Sequence, residues 1–165
     1  MSSDTTATDI LLWVQQRLQT QLNLLDSQCF LTADNLSPPK APPTDVFLTI
    51  SPGGGQFHLP EAAPGNLLER WTFRVRIFCR VLLDRADHDQ HRLVDQTRGL
   101  LRWKQMVLAA LTGLENPEWN LRGWIAPVAA TEPQWLQGGR NAELNYLSLA
   151  IDFQADFDWQ WTSPP

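Results

Sequence analysis

The chain predicts an α+β domain: an antiparallel or mixed, roughly four- to five-stranded sheet with two helices packed on it. Three observations predict it. Residues 69–83 alternate without a break, placing Trp71, Phe73, Val75, Ile77, Cys79, Val81 and Leu83 on one side. Residues 143–157 alternate in the same way, with Leu147, Leu149, Ile151, Phe153, Ala155 and Phe157 on one side. Two further stretches, after Thr8 and after Gln90, carry apolar residues at spacings of three and four. A period of two is a strand with one buried face; a period of 3.6 is an amphipathic helix.

Size and composition fit one domain over residues 1–165. The chain is 43% hydrophobic and 19% charged, enough apolar material for a core. Its formal net charge of −5 argues against general nucleic-acid binding. The charge is unevenly placed. Arg70, Arg74, Arg76, Arg80, Arg85, Arg92, Arg98, Arg102 and Lys104 fall in a central segment, whereas Glu143, Asp152, Asp156 and Asp158 follow Asn141 with no basic residue among them. Such asymmetry implies pairing within the fold, pairing between subunits, or two surfaces of opposite sign. Cys29 and Cys79 both sit in apolar runs and read as small core residues in a reducing, cytosolic setting. The first residues carry no basic n-region, and no apolar run approaches the ~18 residues of a membrane span, so neither a secretory signal nor a membrane partner is expected.

Residues 1–7 are small and polar and read as a loose arm. Thr8 or Asp9 caps a first helix running to about Leu25, with Ile10, Val14, Leu18, Leu22 and Leu25 on its apolar stripe. Its polar face lacks the Lys/Arg enrichment of a membrane-surface helix, so packing against the sheet is expected. Residues 28–33 form a short strand. Pro38, Pro39, Pro42 and Pro43 make 35–43 an extended connector. Val46, Leu48 and Ile50 alternate in a strand over 45–51. The Pro52-Gly53-Gly54-Gly55 run lacks the Lys-Ser/Thr of a phosphate loop, and residues 52–68 read as a long hairpin loop between antiparallel strands.

The second helix is expected over Gln90–Thr112, weakened by Gly99 and ended by Gly113. A short strand over 121–128 follows, confined to an edge by Pro127. Residues 131–140 read as a loop, and 158–165 as a tail after the last strand. On the polar sides, Arg74, Arg76 and Arg80 of one long strand face Asp152 and Asp156 of the other if the two are antiparallel neighbours.

The stretch Asp84, Asp87, His88, Asp89, His91 has metal-ligand residue types and would serve a metal-dependent hydrolase. One short turn supplies all of these groups, whereas catalytic sites draw on several elements. A polar turn and helix cap after a strand accounts for them, and no catalytic residue, cofactor or metal is expected. A module that adds a peptide strand to its sheet is a further alternative.

The order helix, strand, Pro/Gly-rich loop, long strand, helix, closing strand covers nearly the whole chain. It is carried by the helix from Ile10, the strand Val46–Ile50, the spine Glu69–Leu83, the helix Leu93–Leu111 and the strand Leu144–Phe157. In this it resembles the tail terminator, or tail completion, proteins of long-tailed phages and related contractile devices. The resemblance implies a structural virion protein at the head-proximal end of a tail, assembled in the host cytoplasm. Such proteins form a ring, usually a hexamer, that ends tube polymerisation and meets the head connector while DNA passes through the lumen. Self-association, a tail tube protein and connector proteins are the implied partners. A closing heterologous interface needs two complementary surfaces on one subunit, and the basic and acidic segments offer them. The expected contacts are Phe57 and Leu59 on the glycine-rich loop, with Arg74, Arg76, Arg80, Asp152 and Asp156 where these are not paired within the sheet.

Overall fold

The computed structural model describes residues 7–33, 45–58, 66–81, 92–97, 99–112, 125–137 and 145–160. Within them the fold is α+β, a mixed sheet of six strands with helices packed on it. The elements are α1 (Ala7–Leu22), β1 (Cys29–Leu31), β2 (Val46–His58), β3 (Asn66–Val81), α2 (Leu100–Leu111), β4 (Ala126–Ala130), β5 (Gln134–Gln137) and β6 (Asn145–Gln160). The sheet order is β1-β2-β3-β6-β4, with β5 also paired to β6. Among the described strands, only β1 and β2 run parallel. The long alternating strand is therefore the spine, flanked by β2 and β6 along almost its whole length.

The period-two reading holds on the helix-covered face. Trp71, Phe73, Val75, Ile77, Cys79 and Val81 of β3 and Leu147, Leu149, Ile151, Phe153 and Ala155 of β6 are all buried in one cluster. Ile10, Val14 and Leu18 of α1 and Leu100, Val107, Ala110 and Leu111 of α2 close it from the other side. Burying one such large apolar side chain contributes about 1.5–3 kcal/mol, so this layer carries the stability.

Helix α1 is shorter than the stripe suggested. It ends at Leu22, and Asn23 takes a left-handed φ of 53°, so that Leu24 N–H reaches back to Gln19 O at 2.9 Å. This is the glycine-type helix stop with asparagine in the glycine's place. Leu25 is consequently exposed rather than on the stripe. Gln15 and Gln19 each donate to Cys29 O at 3.0 Å, tying the helix to the start of β1.

The second helix is also corrected. Residues 92–94 form a helical turn, the chain then breaks, and α2 begins only at Leu100. Asp95 causes the break: its Oδ1 accepts from both the Thr97 backbone N–H at 2.7 Å and the Thr97 hydroxyl at 2.8 Å. A short polar side chain that bonds the nearby backbone competes with the helix ladder. Gly99 is thus a helix N-cap, not a weak middle, and a Cβ there would lie 2.5 Å from Asp95 O. Gly113 lies outside the described residues.

Three expected loop or tail boundaries move. The region 52–68 is mostly strand, since β2 continues to His58 and β3 starts at Asn66, leaving only 59–65 between them. Residues 134–137, expected as loop, form β5, and β6 continues through residues 158–160 of the expected tail. β4 and β5 lie end to end along β6, and Thr131 bridges them. Its N–H donates to Ala150 O at 2.8 Å and its hydroxyl accepts from Ala150 N–H at 3.0 Å. The pair acts as one edge strand interrupted at Thr131, which accounts for a strand more than the sequence suggested.

Cys29 and Cys79 are free and fully buried. Burial pushes each thiol up from 9.0 to about 12. A thiol held neutral in the fold stabilises it below the unfolded pKa, and that contribution is lost as pH rises from about 9 towards 12. Stability to urea should therefore fall through this alkaline window. Ellman's reagent should label both cysteines only at the rate of unfolding; immediate labelling of the native protein at pH 8 would contradict their burial.

Candidate assembly surface

Two regions of the sheet are left for function: an arm, and the face turned away from the helices. The arm forms because β2, β3 and β6 all run past the flanking strands. β1 reaches only as far as Ile50 of β2, and β4 only to Gln154 of β6. Among the described residues, 51–58 of β2 and 155–160 of β6 therefore have no outer strand partner. Pro52–His58 are exposed throughout, in contrast to the buried Val46–Ser51 of the same strand. The register slips between Pro52 and Gly55, where the glycines admit their neighbours closely. A Cβ at Gly53 would lie 2.7 Å from Thr72 O, and the Thr72 hydroxyl donates to Gly54 O at 2.8 Å. The run read as part of a hairpin loop is thus a bulged strand seated on β3.

Phe57, 60% exposed, projects from this arm. Leu59 lies outside the described residues. The opposite edge of the sheet exposes Val128 and Trp135. On the arm's polar side, Gly54, Gly55, Gln56, Arg70, Thr72 and Gln154 line an open depression of about 370 Å³.

The second region is the arginine face. The antiparallel register of β3 and β6 places Arg74 opposite Asp152, Arg70 opposite Asp156, Arg76 opposite Ala150 and Arg80 opposite Tyr146. Arg74 Nε and Nη2 donate to Asp152 Oδ1 and Oδ2 at 2.7 and 2.9 Å, and this bond raises the arginine's pKa. Arg70 holds Asp156 by the same two nitrogens at 3.2 Å each. The expected cross-strand pairing is thus present for Arg74, while Asp156 goes to Arg70, a residue that the alternation alone did not single out.

Arg76 and Arg80 depart from expectation. Arg76 is only 3% exposed, and its Nη1 donates to the Ser148 hydroxyl at 3.3 Å. Burial, and then the charge of Arg74, lower its pKa. Arg76 Nε, Arg80 Nε and the Tyr146 hydroxyl are buried with no hydrogen-bond partner. Burial raises the Tyr146 pKa, opposed by the nearby Arg80 charge. This end of the face is aromatic. Phe47, Phe78 and Tyr146 form a second buried cluster, with the Phe47 and Phe78 rings stacked at 4.5 Å and Tyr146 edge-on to Phe47 at 5.4 Å. Phe78 and Tyr146 alternate with the polar residues, so the sequence assigned them to a solvated side. Arg92 closes the end of the sheet, donating from Nε to Arg80 O at 2.8 Å and from Nη2 to Asp45 O at 3.1 Å.

Among the described residues no three His, Cys, Asp or Glu side chains are grouped to hold a metal. The Asp84–His91 stretch lies outside the described residues. No helix among the described residues is long and apolar enough to cross a membrane. No protein-family model matches the chain, and no curated protein matches it in sequence.

Proposed function

We propose that the chain is a structural, ring-forming protein of a phage-type tail, acting as the tail terminators it resembles in sequence pattern do. The observation that carries this reading is the arm. Among the described residues, the three-stranded extension leaves two edges open and a phenylalanine exposed within one subunit. It gains a great deal when a neighbour pairs with an edge and covers Phe57. Val128 and Trp135 on the far edge supply a second, different surface, which is what a closing head-to-tail contact between copies requires. The reading assigns no chemistry to the chain. Its partners are other copies of itself, six to a ring as the resemblance implies, the tail tube protein and the head connector, with DNA passing through the lumen without specific contacts.

Native mass measurement and negative-stain imaging of the purified protein test it. Closed rings with a central hole are the expected result. A stable monomer that binds an extended peptide along an arm edge would instead identify a strand-addition adaptor and overturn the ring.

A further inference from the structure

Four arginines stand on the non-helical face of β3, and the register divides them into two kinds. Arg70 and Arg74 each hold a carboxylate from β6, whereas Arg76 and Arg80 lie opposite Ala150 and Tyr146 and have no ion pair among the described residues. Burial of the Arg76 guanidinium is unfavourable, and the nearby Asp152 charge, held by Arg74, offsets its desolvation only in part. The unmade hydrogen bonds add to this. Arg76 Nε, Arg80 Nε and the Tyr146 hydroxyl are all donors, all buried, and all without acceptors. Two guanidinium N–H donors and a hydroxyl, unbonded along one face with Phe78 between the arginines, fit an anion.

The satisfied pairs show which anion. In both of them the arginine presents its Nε and Nη2 edge, and the two oxygens of one carboxylate take one nitrogen each. Arg76 spends Nη1 on Ser148 and leaves its Nε without a partner. The open Nε is one of the two nitrogens by which Arg70 and Arg74 grip Asp156 and Asp152, and the planar guanidinium edge it belongs to matches a carboxylate. Tyr146 and Ser148, successive residues on this face of β6, add hydroxyls along the same row. Arg80, four positions along β3 and only half-buried, brings that row towards solvent.

We propose that Arg76, supported by Arg80, Ser148 and Tyr146, is a binding site for one carboxylate group. The carboxylate comes either from a small free acid or from an acidic side chain of a second copy of this chain. The site stands whether or not copies close into rings, because it is defined by donors within one subunit.

The test uses the full chain and acetate as probe. The arginine Nε–H signals are followed by ¹H–¹⁵N NMR while acetate replaces chloride at constant ionic strength and low protein concentration. A saturable shift of the Arg76 Nε–H signal, with Arg74 unmoved, identifies a free carboxylate as ligand. A shift that appears instead on raising the protein concentration without acetate identifies the second copy. Arg76→Met should weaken acetate binding, or the concentration-dependent contact, on the order of tenfold or more, the loss expected for hydrogen bonds to a charged group. Arg70→Met, which frees only Asp156 on the distant arm, is the control and should leave the site unchanged. If Arg76→Met does not fold, Arg80→Met and the wild-type titration carry the same test. Absence of both shifts, or equal binding by the Arg76→Met protein, would overturn the proposal.

Discussion

Phe73→Ala should destabilise the fold by about 3–5 kcal/mol, a large share of the ~5–15 kcal/mol that holds a domain of this size together. Phe73 is 1% exposed and sits at the middle of the spine, its ring stacked on Phe153 at 5.4 Å and tilted against Trp71 at 5.6 Å. Removing it takes away the transfer energy of a large side chain and leaves a cavity. Both long strands and the neighbouring backbone are fixed by their ladders, so that cavity closes poorly. Urea unfolding followed by tryptophan fluorescence measures the effect as a lower midpoint at unchanged slope. Phe57→Ala is the matched comparison, since Phe57 is exposed on the arm, and it should stay within about 0.5 kcal/mol of wild type. A loss below ~1 kcal/mol at Phe73 would mean that the helix-covered face is not the core.

Shortening the arm should abolish ring formation while leaving the subunit folded. The register dictates where to cut: Gly55 and Trp71 are directly paired across β2 and β3. Replacing residues 56–70 by Asn-Gly closes the hairpin there with a two-residue turn whose twist suits antiparallel strands. Within the subunit the cut removes the Arg70–Asp156 pair, whose arginine is 47% exposed and whose contribution is at most about 1 kcal/mol. It also removes the Glu69 side chain that lies against Gly55. The helix-covered core is untouched, so far-ultraviolet circular dichroism and a cooperative thermal transition should persist. Native mass should show monomers where the full chain forms rings. If the shortened protein still closed into rings of the same mass, the arm would have no part in assembly and the reading it carries would fall.

The arm and the buried arginines also show where a sequence stops being legible. Glycine and proline normally break strands, and the run at 52–55 reads as a break. Here an exposed strand is paired to β3 on its inner side, and the bulge lets Thr72 and Glu69 sit over the glycines. That pairing is a property of the neighbour, not of the run. The same holds for β5, whose residues carry no alternation strong enough to name a strand. It exists because Thr131 and β6 offer it a ladder. Helix α2 starts late for a local reason that was readable in principle, since Asp95 and Thr97 form a small turn of their own.

By itself the sequence determined which side of each long strand faces the helices. A period of two leaves no other choice once one set of side chains is apolar, and Val75, Ile77, Leu149 and Ile151 are buried accordingly. It likewise determined the α+β class and the apolar stripe of α1. Only the tertiary structure decided the register. Sliding β6 by two residues keeps every side chain on its own face yet would set Asp152 opposite Arg76 instead of Arg74. The alternation is blind to that shift, because it repeats every two residues. The register that the packed core selects gives the two acids to Arg74 and Arg70, and leaves Arg76 and Arg80 facing Ala150 and Tyr146.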